Sequence, residues 1–418
     1  MRNTVLRVAG VAAVVGLCAC SSSSSSTGLS TTGGGPGGAS DTTPGDPAVG
    51  GGAATSSGSG SSGSGGGSGG ASGGAFGPAL PLPPGGGGAG LALGGSGTGG
   101  ATSATGDGSD SGVTPPGPGV LTSGVWDDSL NYSFFSSYLP LHSQLAGNPG
   151  FAMSDYDASH AEFLQRSPRV VIDAALVIDT TGSMADELSY LTSEFAAISG
   201  AIAARFPGAA QRWALVVYRD TPDTDPGDAY VVQKFDFTSD LQAFATTVGS
   251  QTAANGGDYE ESPELGLEQL PKLSWRTGSS VARVAFWVGD APQHPYRAAA
   301  MKQAISDVHQ AGVHVYPVSG SGTDDLLELT MRTAAEITGG RYMFLTNDSG
   351  VGGPHKVPEI PCYYVTLLEK ALVRVASMEL SGTYLGPAAS DVIRISGTAS
   401  PDGTCSVGDD AGTTVQIF

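Results

Sequence analysis

Apolar residues fall along this chain in two alternating rhythms. The stretch "AALVIDT" (174–180) is a continuous apolar run bounded by turn residues, the pattern of a strand buried on both faces. Beyond it Leu188, Leu191, Phe195, Ile198 and Ile202 recur at steps of 3, 4, 3 and 4, one face of a long helix that closes at "FPG" (206–208). The strand rhythm returns at 213–220, 229–237, 283–290, 313–320 and 341–346. Helical patterns occupy 297–312, 324–340 and, as a last helix, 363–380. The turn-rich link "TPDTDPGD" (221–228) predicts that 229–237 pairs antiparallel with 213–220 at an edge. Together these elements predict an α/β fold over 169–381: a doubly wound, mostly parallel six-stranded sheet with one antiparallel edge strand and helices on both faces.

The flanks read differently. Residues 120–168 bring aromatics and acids together and carry a short helical pattern at 160–168, which suggests an N-terminal extension packed on the main domain. Trp126 and Phe134 in it read as core contacts. Residues 382–418 form a C-terminal tail whose Asp402, Asp409 and Asp410 read as a solvated turn.

Composition removes the first part of the chain from the folded body. The sequence has 65 glycines and only 14% charged residues in 418 positions, so part of it builds no core. Residues 21–119 contain no lysine, arginine or glutamate and few bulky apolar side chains. Such a segment cannot offset its backbone entropy and is expected to be a disordered Gly/Ser/Pro-rich tether. A coil of roughly 100 residues of this kind would span on the order of 50–60 Å. The net charge of −20 argues against nucleic acid and against direct binding to an anionic membrane surface. It suits cations or basic ligands.

Residues 1–20 read as a targeting segment, with Arg2 and Arg7 flanking an apolar stretch too short to span a bilayer. The run ends in "LCAC" before a line of serines, and it resembles a bacterial lipoprotein signal with Cys20 as the lipidated residue. An ordinary secretory signal with incidental cysteines is the alternative. Either predicts that the mature protein leaves the cytoplasm, and the first a lipid anchor in the bacterial cell envelope, at the outer membrane or cell surface. Once that segment is processed, Cys362 and Cys405 remain. In an oxidising compartment they can pair and tie the tail to the body, or stand as one buried thiol and one in the tail.

Candidate chemistry gathers at strand ends. In a fold of this class ligands bind beyond the carboxyl ends of the strands. Two apolar strands end there on an aspartate, Asp179 and Asp290. After Asp179 the alternate positions Thr181 and Ser183 carry hydroxyls, so one loop can direct a carboxylate and two hydroxyls to one side. An oxygen-only set suits Mg²⁺, Mn²⁺ or Ca²⁺. Helix capping is the plainer alternative for the two hydroxyl residues.

The stretch "DTTGSM" resembles the first metal loop of von Willebrand factor type A domains, whose metal-ion-dependent adhesion site reads Asp-x-Ser/Thr-x-Ser. "YRD" (218–220), "NGGDYEESPE" (255–264) and "GDAPQH" (289–294) are similar to other segments of a bacterial and protist branch of that family. The resemblance implies a divalent-cation site built from Asp179, Thr181, Ser183 and Asp290, the last acting through a water. In the middle loop, where many members carry threonine, Asp258 is the match and Glu260 or Glu261 are substitutes. A third carboxylate there should tighten the hold on the metal and weaken its pull on an anionic partner. The implied function is a module that binds an acidic group of an extracytoplasmic protein or glycan. The alternatives are a metal-dependent hydrolase with His294 or Glu261 as base, or a structural part of an envelope complex. Asp220 reads as a rim residue or a strand end, and His294 as an exposed loop histidine. No nucleophile elbow, phosphate-binding loop or zinc-ligand spacing is present.

Overall fold

The computed structural model describes residues 117–163, 167–221, 226–407 and 413–418. The expected signal segment with Cys20, nearly all of the tether, and Asp409 and Asp410 lie outside the described residues. Among the described residues eleven strands and eight α-helices follow in chain order: β1 (Thr122–Trp126), α1 (Tyr132–His142), α2 (Met153–Phe163), β2 (Val171–Asp179), α3 (Ala185–Arg205), β3 (Gln211–Tyr218) and β4 (Val232–Thr238). Next come α4 (Leu241–Gly249), α5 (Pro263–Leu267), β5 (Val281–Gly289), α6 (Ala298–Gln310), β6 (His314–Ser319) and α7 (Asp325–Thr338). The last are β7 (Tyr342–Leu345), β8 (Tyr363–Leu367), α8 (Leu368–Ser381), β9 (Arg394–Ser396), β10 (Thr404–Val407) and β11 (Thr413–Gln416).

Nine of these strands form one sheet in the order β4-β3-β2-β5-β6-β7-β1-β8-β9. The five strands from β3 to β7 run parallel, and β4 lies antiparallel against β3. All six expected strands are present, but a six-stranded sheet with one antiparallel edge is too small. The segment 120–168 is more than a packed extension, because its β1 pairs antiparallel with both β7 and β8. The pattern at 363–380 is only partly helical: its first five residues are β8, and α8 begins at Leu368. Tyr363, Val365 and Leu367 satisfy the strand period while Leu368, Leu372 and Val375 satisfy the helical one, so hydrophobicity alone hides the switch. The tail contributes β9, antiparallel on β8, and a separate β10–β11 hairpin.

Burial on both faces explains the unbroken apolar strands. Ile172, Leu176 and Ile178 of β2 enter one core with Leu188, Leu191, Phe195, Ile198 and Ile202 of α3 and with Leu372 and Val375 of α8. Ala175 and Val177, pointing the other way, enter a second core with Met301 of α6 and Leu327 of α7. The helix α7 is buried from Leu326 to Thr338, because α1 and α2 cover the side that the sheet does not. Trp126 is buried, as expected of a core contact, and Phe134 packs edge-on against it at 5.8 Å between ring centres.

Cys362 and Cys405 are joined in a disulfide that closes 43 positions of chain and holds the β10–β11 hairpin to the start of β8. Disulfides of this kind persist in oxidising compartments, which places the domain outside a reducing cytosol. Among the described residues no helix is long and apolar enough to cross a membrane.

Candidate metal centre

The parallel pairing of β2 with β5 sets Ile178 opposite Val288, so the residues that follow both strands emerge at one rim of the sheet. Asp179 ends β2 fully buried. Its Oδ1 accepts the Thr181 backbone N–H at 2.9 Å and the Thr181 hydroxyl at 2.7 Å, and the Thr181 and Ser183 hydroxyls lie 3.1 Å apart. A short 3-10 turn, Gly182–Met184, then leads into α3. Neither Thr181 nor Ser183 caps a helix: no side-chain cap bond is made at Thr181 or at Met184, the residue that opens α3. Their hydroxyls turn back toward the carboxylate, which removes the capping alternative.

The middle loop is strapped onto this turn. The Gly182 N–H donates to the Asn255 carbonyl at 2.7 Å, and the Ala254 N–H donates to the Thr180 carbonyl at 3.1 Å. Asn255 and Gly256 adopt positive φ, 61° and 117°. At Gly256 a Cβ would stand 2.6 Å from Glu261 Oε1 and 3.0 Å from the Thr181 Cβ, so only glycine lets the loop close down on them. That closure brings Glu261 inside. Its backbone N–H donates to the Pro292 carbonyl at 2.9 Å, which ties the middle loop to the loop carrying Asp290.

Three buried carboxylates influence one another here, Glu261 and Asp290 both feeling Asp179. Asp179, Glu261 and Asp290 are 0%, 3% and 5% exposed. Among the described residues Glu261 Oε2 and Asp290 Oδ1 are buried without a hydrogen-bond partner, and Asp179 Oδ2, equally buried, has the Tyr218 phenol beside it. The Ser183 hydroxyl favours the ionised form of Asp290, and the Thr181 hydroxyl that of Glu261. Burial pushes all three acids above the usual carboxylate range, and repulsion adds to it, on Asp179 from Asp220. Glu261 feels Asp179, Asp220 and Asp290, and Asp290 feels Asp179 and Glu187. Buried anions of like sign with unsatisfied oxygens are costly unless a cation joins them. The donors are oxygen throughout, as a hard divalent cation requires.

Asp179, Thr181, Ser183 and Asp290 are therefore brought together as the spacing suggested. Asp258 belongs to an adjoining group with Asp220 and His294 whose ligand atoms could themselves hold a cation. It is exposed, and its carboxylate lies within 4.8 Å of ligand atoms of Asp220 and His294. The middle-loop carboxylate that faces Asp179 and Asp290 belongs to Glu261, one of the two substitutes. His294 is buried at 4% exposure rather than exposed, with Nε2 at 2.9 Å from Asp220 Oδ1. Ser262 donates to the same oxygen at 3.1 Å.

One contributor went unnoticed in the sequence. Glu187, in the first turn of α3, accepts the Ser321 N–H at 2.7 Å and stands 3.1 Å from His355 Nε2. It braces the loop after β6 beside Asp290. Its place four residues beyond Ser183, on the inward face of α3 with Leu188 and Leu191, was the available signal.

No protein-family model and no curated protein sequence matches this chain. Among solved structures, the pilus adhesin SpaC from Lactobacillus rhamnosus GG in its open conformation overlaps 42% of this chain at 11% identity with a TM-score of 0.31. The overlap spans 29% of that adhesin's length, and at this score it carries no argument.

Proposed function

We propose that this is a von Willebrand factor type A-like, doubly wound domain that holds one divalent cation (Mg²⁺, Mn²⁺ or Ca²⁺) at the sheet rim and uses it to bind an acidic group of an extracytoplasmic protein or glycan. The observation that carries the reading is a set of three buried carboxylates, Asp179, Glu261 and Asp290, in which Glu261 and Asp290 both feel the charge of Asp179, beside two hydroxyls. Bound there, the cation would supply positive charge for a partner's carboxylate.

The chain's own residues divide the work. Asp179, Glu261 and Asp290 supply charge, and Thr181 and Ser183 supply neutral oxygens. Gly256 permits the close approach of the middle loop, and Glu187 steadies the loop at 320–321. Three carboxylates make the hold on the cation strong and its residual pull on an anionic partner modest. Such a balance fits a partner that adds contacts of its own around the rim. Binding is favoured over hydrolysis because both proposed bases are engaged, Glu261 in the acid cluster and His294 on Asp220. We place the domain in the bacterial cell envelope, carried on a lipid anchor at Cys20.

Calorimetric titration of the purified chain with MgCl₂, MnCl₂ and CaCl₂ tests the metal. One site is expected with at least one of the three ions, and Asp179→Ala should remove it. An absence of heat with all three in the parent sinks the reading. Capture of partners from envelope extract with and without EDTA tests the role, and a partner retained equally in both rules out a metal-bridged contact.

A further inference from the structure

A second group of donors stands beside the rim centre. The middle loop is zipped to the loop after β5: Glu261 bridges to Gln293 in parallel register, and its N–H donates to the Pro292 carbonyl. The residues that follow this bridge on each segment, Ser262 and His294, both reach Asp220, beyond β3. His294 Nε2 stands 2.9 Å from Asp220 Oδ1. Asp258 completes the group, so that one ligand atom from each of the three residues lies within 4.8 Å of the others.

These separations suit one ion. Zinc binds nitrogen and oxygen donors at about 2.0–2.2 Å, which sets tetrahedral donors about 3.4 Å apart, between the 2.9 Å and 4.8 Å found here. An imidazole nitrogen with two carboxylates also selects differently from an all-oxygen set, toward a borderline cation rather than Mg²⁺ or Ca²⁺. Two buried acids beside the group leave oxygens unsatisfied. Among the described residues Glu261 Oε2 and Glu264 Oε2 have no hydrogen-bond partner. Glu261 feels the charge of Asp220, and the Glu264 carboxylate is attracted by Arg297 and then by His294. A carboxylate near a ligating imidazole raises its basicity and fixes its orientation. The His294 ring also stacks on Tyr296 at 5.1 Å between centres. Asp220 and His294 are buried while Asp258 is exposed, so the group opens to solvent on one side.

We propose that Asp220, Asp258 and His294 form a second cation site of the Zn²⁺ class, chemically distinct from the rim centre. Three protein ligands leave the fourth position to water. The ion takes the place of the proton that joins His294 Nε2 to Asp220 Oδ1, and it pins the middle loop against the ends of β3 and β5. Its ligands come from three separate segments, so no spacing motif marks them in the sequence. The site takes no ligand from the rim set and does not depend on a cation there.

Calorimetric titration of the full chain with ZnCl₂, in excess MgCl₂ to fill the rim, tests this. A Zn²⁺ site should be present. Asp258→Asn and His294→Gln should each weaken it by about tenfold or more, since even the loss of an outer-shell partner costs that much. Asp258 is exposed, so Asp258→Asn keeps the fold even where His294→Gln disturbs it. Asp179→Ala should leave Zn²⁺ binding in place. Titration with CoCl₂ gives a second readout: a visible absorption band that His294→Gln removes, because an all-oxygen octahedral site absorbs far more weakly. No Zn²⁺ heat in the parent, or equal Zn²⁺ affinity in Asp258→Asn, would overturn the proposal. So would a Co²⁺ band that His294→Gln leaves unchanged, and loss of Zn²⁺ binding in Asp179→Ala would place the ion at the rim instead.

Discussion

Arg332 of α7 donates to both carboxylate oxygens of Asp128, just beyond β1, at 3.1 and 2.7 Å across 204 positions of sequence. Both side chains are buried, Arg332 lies over the Tyr138 ring at 3.8 Å, and the Trp126 indole donates to Asp128 at 2.8 Å. The pair locks the N-terminal segment to the helix it covers. Removing one partner strands the other charge, so Arg332→Met and Asp128→Asn should each lower unfolding free energy by about 3–5 kcal/mol. Urea denaturation measures this, and a loss under about 1 kcal/mol would show that the pair does not hold β1 in place.

The middle-loop assignment separates two acids three positions apart. Glu261→Gln should weaken cation affinity by about tenfold or more, since affinity follows the number of charged ligands. Asp258→Ala should change it by no more than about threefold, because Asp258 points to Asp220 and His294. Calorimetry on both variants decides the matter, and the reverse ranking would return the ligand role to Asp258.

Glu336 predicts a pH dependence away from the rim. Burial, with repulsion from Asp128, pushes its carboxyl up to about 9, while Ser129 donates to it at 2.7 Å. The folded state thus holds a proton that the unfolded chain releases near the ordinary value of 4.5. Its contribution to stability is complete below that value and is lost as pH rises toward about 9. The decline should approach about 1.4 kcal/mol per pH unit at its steepest. Glu336→Gln should flatten the curve relative to the parent in urea titrations from pH 5 to pH 9. Parallel curves would show that Glu336 stays ionised in the fold.

The Cys362–Cys405 bond closes a loop of 43 positions, for which chain entropy predicts about 4 kcal/mol of stabilisation. Reduction, or a Cys362→Ala/Cys405→Ala double variant, should lower the thermal midpoint. It should also expose the β10–β11 hairpin to protease before the parallel strands. Simultaneous cleavage of both regions would show that the tail is not a separable layer.

The central strands were legible because burial on both faces leaves a local mark: an unbroken apolar run, then a helix with its stripe at 3- and 4-residue steps. The same local logic marked Asp179, Thr181, Ser183 and Asp290, since strand ends on one rim follow from parallel pairing. The antiparallel flank was not legible. β1 is five residues long, and its partners begin at Tyr342 and Tyr363, more than 200 positions away. No periodicity within "TSGVW" can announce such a pairing.

The rim centre divides the same way. Sequence alone determined which residue types stand at the strand ends, because side-chain period and turn chemistry are local properties. Only the tertiary structure decided which middle-loop acid turns inward. That choice depends on the path of the chain through Asn255 and Gly256 at positive φ, and on the contact of Gly256 with Thr181. Glu261 is drawn in and Asp258 left outside by a backbone closing on a neighbouring loop, a long-range event that the spacing of the acids does not encode.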